Sequence, residues 1–149
     1  MLDDVDQRIL TALAADARVS LKDLARAVGL SSPSVSERVK RLEERGVIRG
    51  FTVDIDPRAL GYQLQAIVRI RPLPGQQHIV QKMIEEIPQC AECDRVTGDD
   101  CFIARLHVRS IDELDEILER VVDRATTNTS VVKAQVLGRR PPPLDHAAF

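Results

Sequence analysis

The period of the apolar residues changes at Gly46, and no other feature constrains the fold as strongly. Before it, Val5, Ile9, Leu10 and Leu13 recur at helical spacing, then Leu21, Leu24, Ala25 and Val28, then Val35, Val39 and Leu42. Such spacing collects each set on one face of a helix. After it, Val47-Ile48 and the stretch FTVDIDP (51–57) alternate apolar and polar residues, which is the period of a strand. A helical unit over residues 1–50 is therefore expected, then a strand and linker over 51–61, then a second domain over 62–138 and a loosely held tail, 139–149. At 149 residues the chain has room for two small domains.

The punctuation of the helical unit is explicit. Asp3 or Asp4 is placed to cap the first helix, and Ser20-x-x-Asp23 is a capping box with Asp in place of Glu. Gly29 stands where a left-handed residue ends a helix. Ser31 or Ser32 caps the next one, and Pro33 falls in its first turn, where a missing N–H costs nothing. Gly46 ends it. The tight turn Val28-Gly29-Leu30-Ser31 makes the last two helices a helix-turn-helix, whose second helix enters the DNA major groove by its N-terminal end.

Val35, Val39 and Leu42 face inward on that second helix, so Ser34, Glu37, Arg38 and Arg41, with Lys40, are expected to face out. Ser32 and Ser36 complete the candidate contacts to double-stranded DNA. Serine and arginine bond phosphates and base edges, and a bidentate arginine favours guanine. The net charge of −2 hides a local excess. Between residues 38 and 49, Arg38, Lys40, Arg41, Arg45 and Arg49 face only Glu43 and Glu44. A run such as KRLEER taken alone is an ordinary solvated helix face; the glycine turn, serine cap and helix order favour DNA.

The second domain alternates strand and helix. Tyr62–Arg71 is expected as a strand, Gln76–Ile87 as a helix, and Cys90–Thr97 and Cys101–Val108 as a hairpin about Gly98-Asp99-Asp100. Ser110–Arg124 is expected as a helix opened by the capping box Ser110-x-x-Glu113, and Val131–Leu137 as the fourth strand. The order β-α-β-β-α-β is ferredoxin-like, giving an α+β chain: an N-terminal three-helix helix-turn-helix domain joined to a C-terminal ferredoxin-like domain. Two helices cover one face of such a sheet. The first strand carries apolar residues on both faces, which invites dimerisation.

Catalysis finds no support. No glycine-rich phosphate loop follows a strand, and His78, His107 and His146 fall on different elements. In a regular strand, Cys90 and Cys93 point to opposite faces, so no metal or redox pair is expected, and no cofactor is called for. No apolar run spans a bilayer, the acidic N-terminus lacks a signal pattern, and three cysteines suit a reducing compartment. A cytoplasmic protein is expected. Two other functions compete with DNA binding: a small-molecule-binding protein whose helical unit contacts protein, and an enzyme of the ferredoxin-like fold, which lacks any acid-base or nucleophile constellation.

The layout resembles the Lrp/AsnC family of transcription regulators over residues 3–138. Asp3, Asp6, Ile9, Leu10, Leu13, Asp16 and Arg18 carry the family's opening pattern, and GLSSPSVSERVKRLEERGVIRGFTVDIDPRALGY looks like its recognition helix and following strand. The resemblance implies dimers formed through the C-terminal sheets, often assembled to octamers, and an amino-acid effector bound between dimers. The alternative is an effector-independent or chromatin-organising regulator. The resemblance also implies an effector site near Thr97, Gly98, Asp99, Asp100 and Cys101. The family's commonest turn has an aromatic residue in place of Asp100 and an acid in place of Cys101. Asp99 and Asp100 suit an ammonium, and turn N–H groups a carboxylate; equally, both acids are good turn formers.

Overall fold

The side chains that punctuate the helices on paper do so in the computed structural model, which describes residues 2–144. Helix α1 (Asp4–Ala15) starts on Asp3, whose carboxylate accepts from the Asp6 N–H. Helix α2 (Leu21–Val28) starts on Ser20, which accepts from the Asp23 N–H, and stops on Gly29 at φ +72°. Helix α3 (Ser32–Glu44) starts on Ser31, which accepts from the Ser34 N–H. Ile9, Leu24, Ala25, Val28, Val35 and Leu42 are buried together and form the core of this unit.

The expected strand over 51–57 does not form. These residues lie outside any ladder, and Phe51, Val53 and Ile55 are 52%, 75% and 56% exposed. Alternation marks the two faces of a strand, but a strand exists only when its N–H and C=O groups meet a neighbour's. None of the described strands pairs with this segment.

By contact, the chain divides into two units, residues 1–53 with 137–149, and residues 54–136. In the second, a 3-10 turn (Pro57–Leu60) precedes β1 (Leu64–Pro72), α4 (Gln77–Glu85), β2 (Cys90–Arg95), β3 (Phe102–Val108), α5 (Ile111–Glu119) and β4 (Ala125–Val131). The sheet runs β2-β3-β1-β4, all antiparallel, the ferredoxin-like arrangement. Ala66, Val68, Ile70, Phe102, Ala104, Leu106 and Val108 point to one face and meet Val80 and Ile84 of α4 and Leu114 and Ile117 of α5.

Several expectations are corrected here. The fourth strand is Ala125–Val131 rather than Val131–Leu137, and α5 ends at Glu119 rather than Arg124. The segment ATTNTSV carries no apolar alternation, yet Thr126, Thr127 and Thr129 are β-branched and fit a pleated edge. Val122, Ile111 and Ile79, expected inward, are 64%, 49% and 42% exposed. The open face of the sheet is not apolar either. By register it carries Arg69, Arg71, Arg105 and His107 with Ile67 and Ile103, and Arg105 Nε meets Glu92 Oε1 at 2.7 Å.

A bulge in β2 overturns the placement of the cysteines. The register shifts between Cys90 and Glu92, so Cys90 pairs with Leu106 and Cys93 with Ala104, both core-facing residues. One extra residue in a strand reverses the alternation beyond it, and the two thiols share a face. Burial is the main cause that raises both thiols, Cys93 to about 11. Neutral thiols are poor nucleophiles and poor ligands. His146 lies outside the described residues, as does the tail beyond 144.

Candidate nucleic-acid interface and the hairpin turn

Helix α3 has one locked face and one free face. Val35 and Leu42 are 0% and 1% exposed, seated among α1 and α2 residues. Ser34, Ser36, Glu37, Lys40 and Arg41 are exposed on the other side, and Ser32 is half-buried at the first turn. Arg41 lies 3.9 Å from Glu37 and Lys40 3.7 Å from Glu44, each one helical turn away. Exposed pairs of this kind are weak and exchange partners easily. The first turn holds no acid; with Pro33 lacking an N–H and the Ser34 N–H donating to Ser31 Oγ, the Ser32 N–H and the positive end of the helix dipole are what it offers a phosphate.

Arg38 departs from expectation. Instead of facing out, its guanidinium Nη1 donates to Asp3 Oδ2 at 2.7 Å and to Asp6 Oδ1 at 2.9 Å. Its side chain is 26% exposed, and Asp6 is the buried charged residue of the described core. Asp3 works twice, since its Oδ1 also accepts from the Asp6 N–H at 2.7 Å. The Arg38 hydrogen bond, first, and the Asp6 N–H, second, hold the Asp3 carboxyl below its ordinary range. The Asp3 bond in turn raises Arg38. Arg38 is thus a bolt between α3 and the start of α1. Helical spacing put it at the rim of the apolar stripe, and the two acids at its far end decide where it points.

The β2–β3 hairpin turns through Thr97, Gly98, Asp99 and Asp100, closed by the Val96 N–H donating to the Cys101 carbonyl at 2.8 Å. Gly98 sits at φ +100°, where any side chain is strained. Thr97, Gly98 and Asp99 are exposed and Asp100 is partly covered, whereas Cys101 packs against the sheet core. The turn meets a residue that the sequence reading missed. Arg71 Nε donates to the Asp99 carbonyl at 3.0 Å. Its Nη2 lies 3.7 Å from Asp99 Oδ2 and 3.8 Å from Asp100 Oδ1. In sequence Arg71 is merely the last residue before a proline. The pairing of Ile70 with Phe102 brings it to the turn.

A cleft of about 340 Å³ lies elsewhere in this unit, lined by Arg58, Tyr62, Gln65, His107 and Lys133 among others. Gln65 pairs with His107, five residues along β1 from Ile70, which is about 17 Å from the turn. Tyr62 carries the Arg109 guanidinium 5.0 Å from its ring centre. Among the described residues, no three His, Cys, Asp or Glu side chains converge on a metal position. None of the described helices is long and apolar enough to cross a membrane.

Known proteins share this pair of units. Residues 2–49 match the family model for winged helix-turn-helix DNA-binding domains, and residues 65–142 that for the Lrp/AsnC ligand binding domain. The HTH-type transcriptional regulator LrpA of Mycobacterium tuberculosis is 38% identical over 129 residues, 86% of each chain. LrpC of Bacillus subtilis superposes with a TM-score of 0.87 at 28% identity, over 93% of this chain and 99% of that one. A feast or famine regulatory protein of M. tuberculosis, solved in complex with L-methionine, superposes with a TM-score of 0.88 at 34% identity, over 95% and 99%.

Proposed function

The chain belongs to the Lrp/AsnC family of DNA-binding transcriptional regulators, and from that membership we propose how it reads DNA, what it senses and how it assembles. Helix α3 enters the major groove by its first turn, with Ser34, Ser36, Glu37, Lys40 and Arg41 at the DNA and Ser32 at the phosphate backbone. One observation carries this: the polar face of α3 is exposed while its apolar face is fixed in the core. Arg38 holds the helix at its angle and reads no base. Binding measured against salt tests the assignment. Arg41→Ala is expected to weaken binding and reduce the slope of log K against log salt by about 1. An unchanged slope and affinity would remove Arg41 from the interface.

The second domain takes an amino acid at the turn Thr97–Asp100, with Cys101 as a packing residue behind it. The methionine complex of a relative supports this, as does the family model of a ligand binding domain. The protein acts as a dimer joined through its C-terminal sheets and the exposed row Phe51, Val53 and Ile55, and dimers assemble further, to an octamer. The row's three apolar side chains are exposed, and the segment has no partner strand among the described residues. A second copy supplies both the missing ladder and the missing apolar surface. A cytoplasmic location fits the protein's DNA target.

A further inference from the structure

We infer that Arg71 is the carboxylate anchor of the amino-acid site, and that without ligand it lies between the two acids that receive the ligand's ammonium. The inference rests on the hairpin turn being the effector site. The bond from Arg71 Nε to the Asp99 carbonyl fixes the guanidinium beside the turn. With Nε engaged, the terminal nitrogens are the edge left for a ligand. Nη2 stands 3.7 and 3.8 Å from one oxygen each of Asp99 and Asp100. Charge-assisted hydrogen bonds close to about 2.7–2.9 Å, so neither carboxylate bonds it directly. Arg71 is 53% exposed, Asp99 93% and Asp100 40%. Ion pairs this exposed contribute little and open at low cost.

An α-amino acid carries a carboxylate and an ammonium on one carbon. Placed at the turn, its carboxylate takes the Arg71 fork and its ammonium takes Asp100 and Asp99. Two close charge-assisted contacts then replace two long ones. The partial solutions are worse. An amino-acid amide leaves Arg71 unmatched, and an N-acyl amino acid brings a lone anion to a place with two carboxylates and one guanidinium. The site therefore selects the free zwitterion by offering a partner to each of its two charges, before the ligand's side chain is considered.

The test is calorimetry on the full-length protein with a panel of L-amino acids, then the best ligand and its α-amide against wild type and Arg71→Gln. Wild type is expected to bind the amino acid at least tenfold more tightly than the amide. Arg71→Gln is expected to lose tenfold toward the amino acid and under twofold toward the amide, so the preference disappears. If Arg71→Gln changes the melting temperature, Arg71→Lys, which keeps the charge without the fork, replaces it, with at least a threefold loss expected. A variant that keeps wild-type affinity and the full preference for the free acid overturns the inference while the effector site stands. No binding by wild type to any of the panel overturns the effector reading and the inference with it.

Discussion

Arg38 shows how a single residue changes role with its surroundings. A guanidinium on a recognition helix invites a base contact. Between Asp3 and Asp6 it is already satisfied, and withdrawing it to meet DNA would strand the largely buried Asp6 carboxylate. Arg38→Ala is therefore expected to lower the melting temperature and to weaken binding to every DNA sequence alike. Arg41→Ala is expected to weaken binding with the melting temperature unchanged. Thermal denaturation beside binding to specific and scrambled duplexes separates the two. The pH dependence has a definite sign. The folded Asp3 carboxyl sits below its ordinary value of 3.8. Its stabilising contribution is complete above that value and is lost as pH falls through the lower folded value. Asp3→Asn should remove that part of the acid transition, as read by circular dichroism from pH 5 downward.

At the scale of elements, the helix-turn-helix rests on one backbone conformation and one packed stripe. Gly29 ends α2 at φ +72°, with open space where a Cβ would go. Gly29→Ala therefore costs backbone strain alone, about 1–2 kcal/mol, and Gly29→Asn, which tolerates the left-handed region, costs less. Leu42 is 1% exposed in the helical core, so Leu42→Ala should cost about 2–5 kcal/mol. Urea unfolding followed by helical circular dichroism measures both. The β2 bulge belongs to this scale too. It turns Cys93 to the side of Ala104, where the residue remains exposed on the edge strand; with its thiol pushed up to about 11, alkylation of Cys93 should accelerate toward pH 11 rather than near 9.

Over the whole molecule, charge is divided by task. The unit of residues 1–53 and 137–149 holds 11 basic and 9 acidic side chains, and the unit of residues 54–136 holds 10 basic and 14 acidic. The overall charge of −2 is thus a +2 DNA-binding unit and a −4 regulatory unit, an asymmetry that steers the first toward a polyanion. Assembly belongs here as well. Val53→Asp, on the exposed row, is expected to shift the protein toward monomer in sedimentation experiments while leaving both units folded. A variant that sediments as wild type would exclude that row from the interface.

The two units, their helices and caps, the β-α-β-β-α-β order and the family were legible in the chain. These follow from local rules, in which apolar spacing, serine and aspartate caps and glycine turns act within a few residues of one another. The rest was settled by contacts between segments distant in the chain. The alternation at Phe51–Ile55 forms no strand because none of the described strands pairs with it, and a chain cannot announce in sequence whether a partner exists. Ala125–Val131 is a strand because β1 pairs with it, although its own pattern is polar. Cys90 and Cys93 share a face because a bulge intervenes. Arg38 faces Asp3 and Asp6, 35 and 32 residues away, and Arg71 faces a turn 28 residues away. Such distances are closed by the fold, so the direction of a long charged side chain is fixed by neighbours that its own segment does not contain.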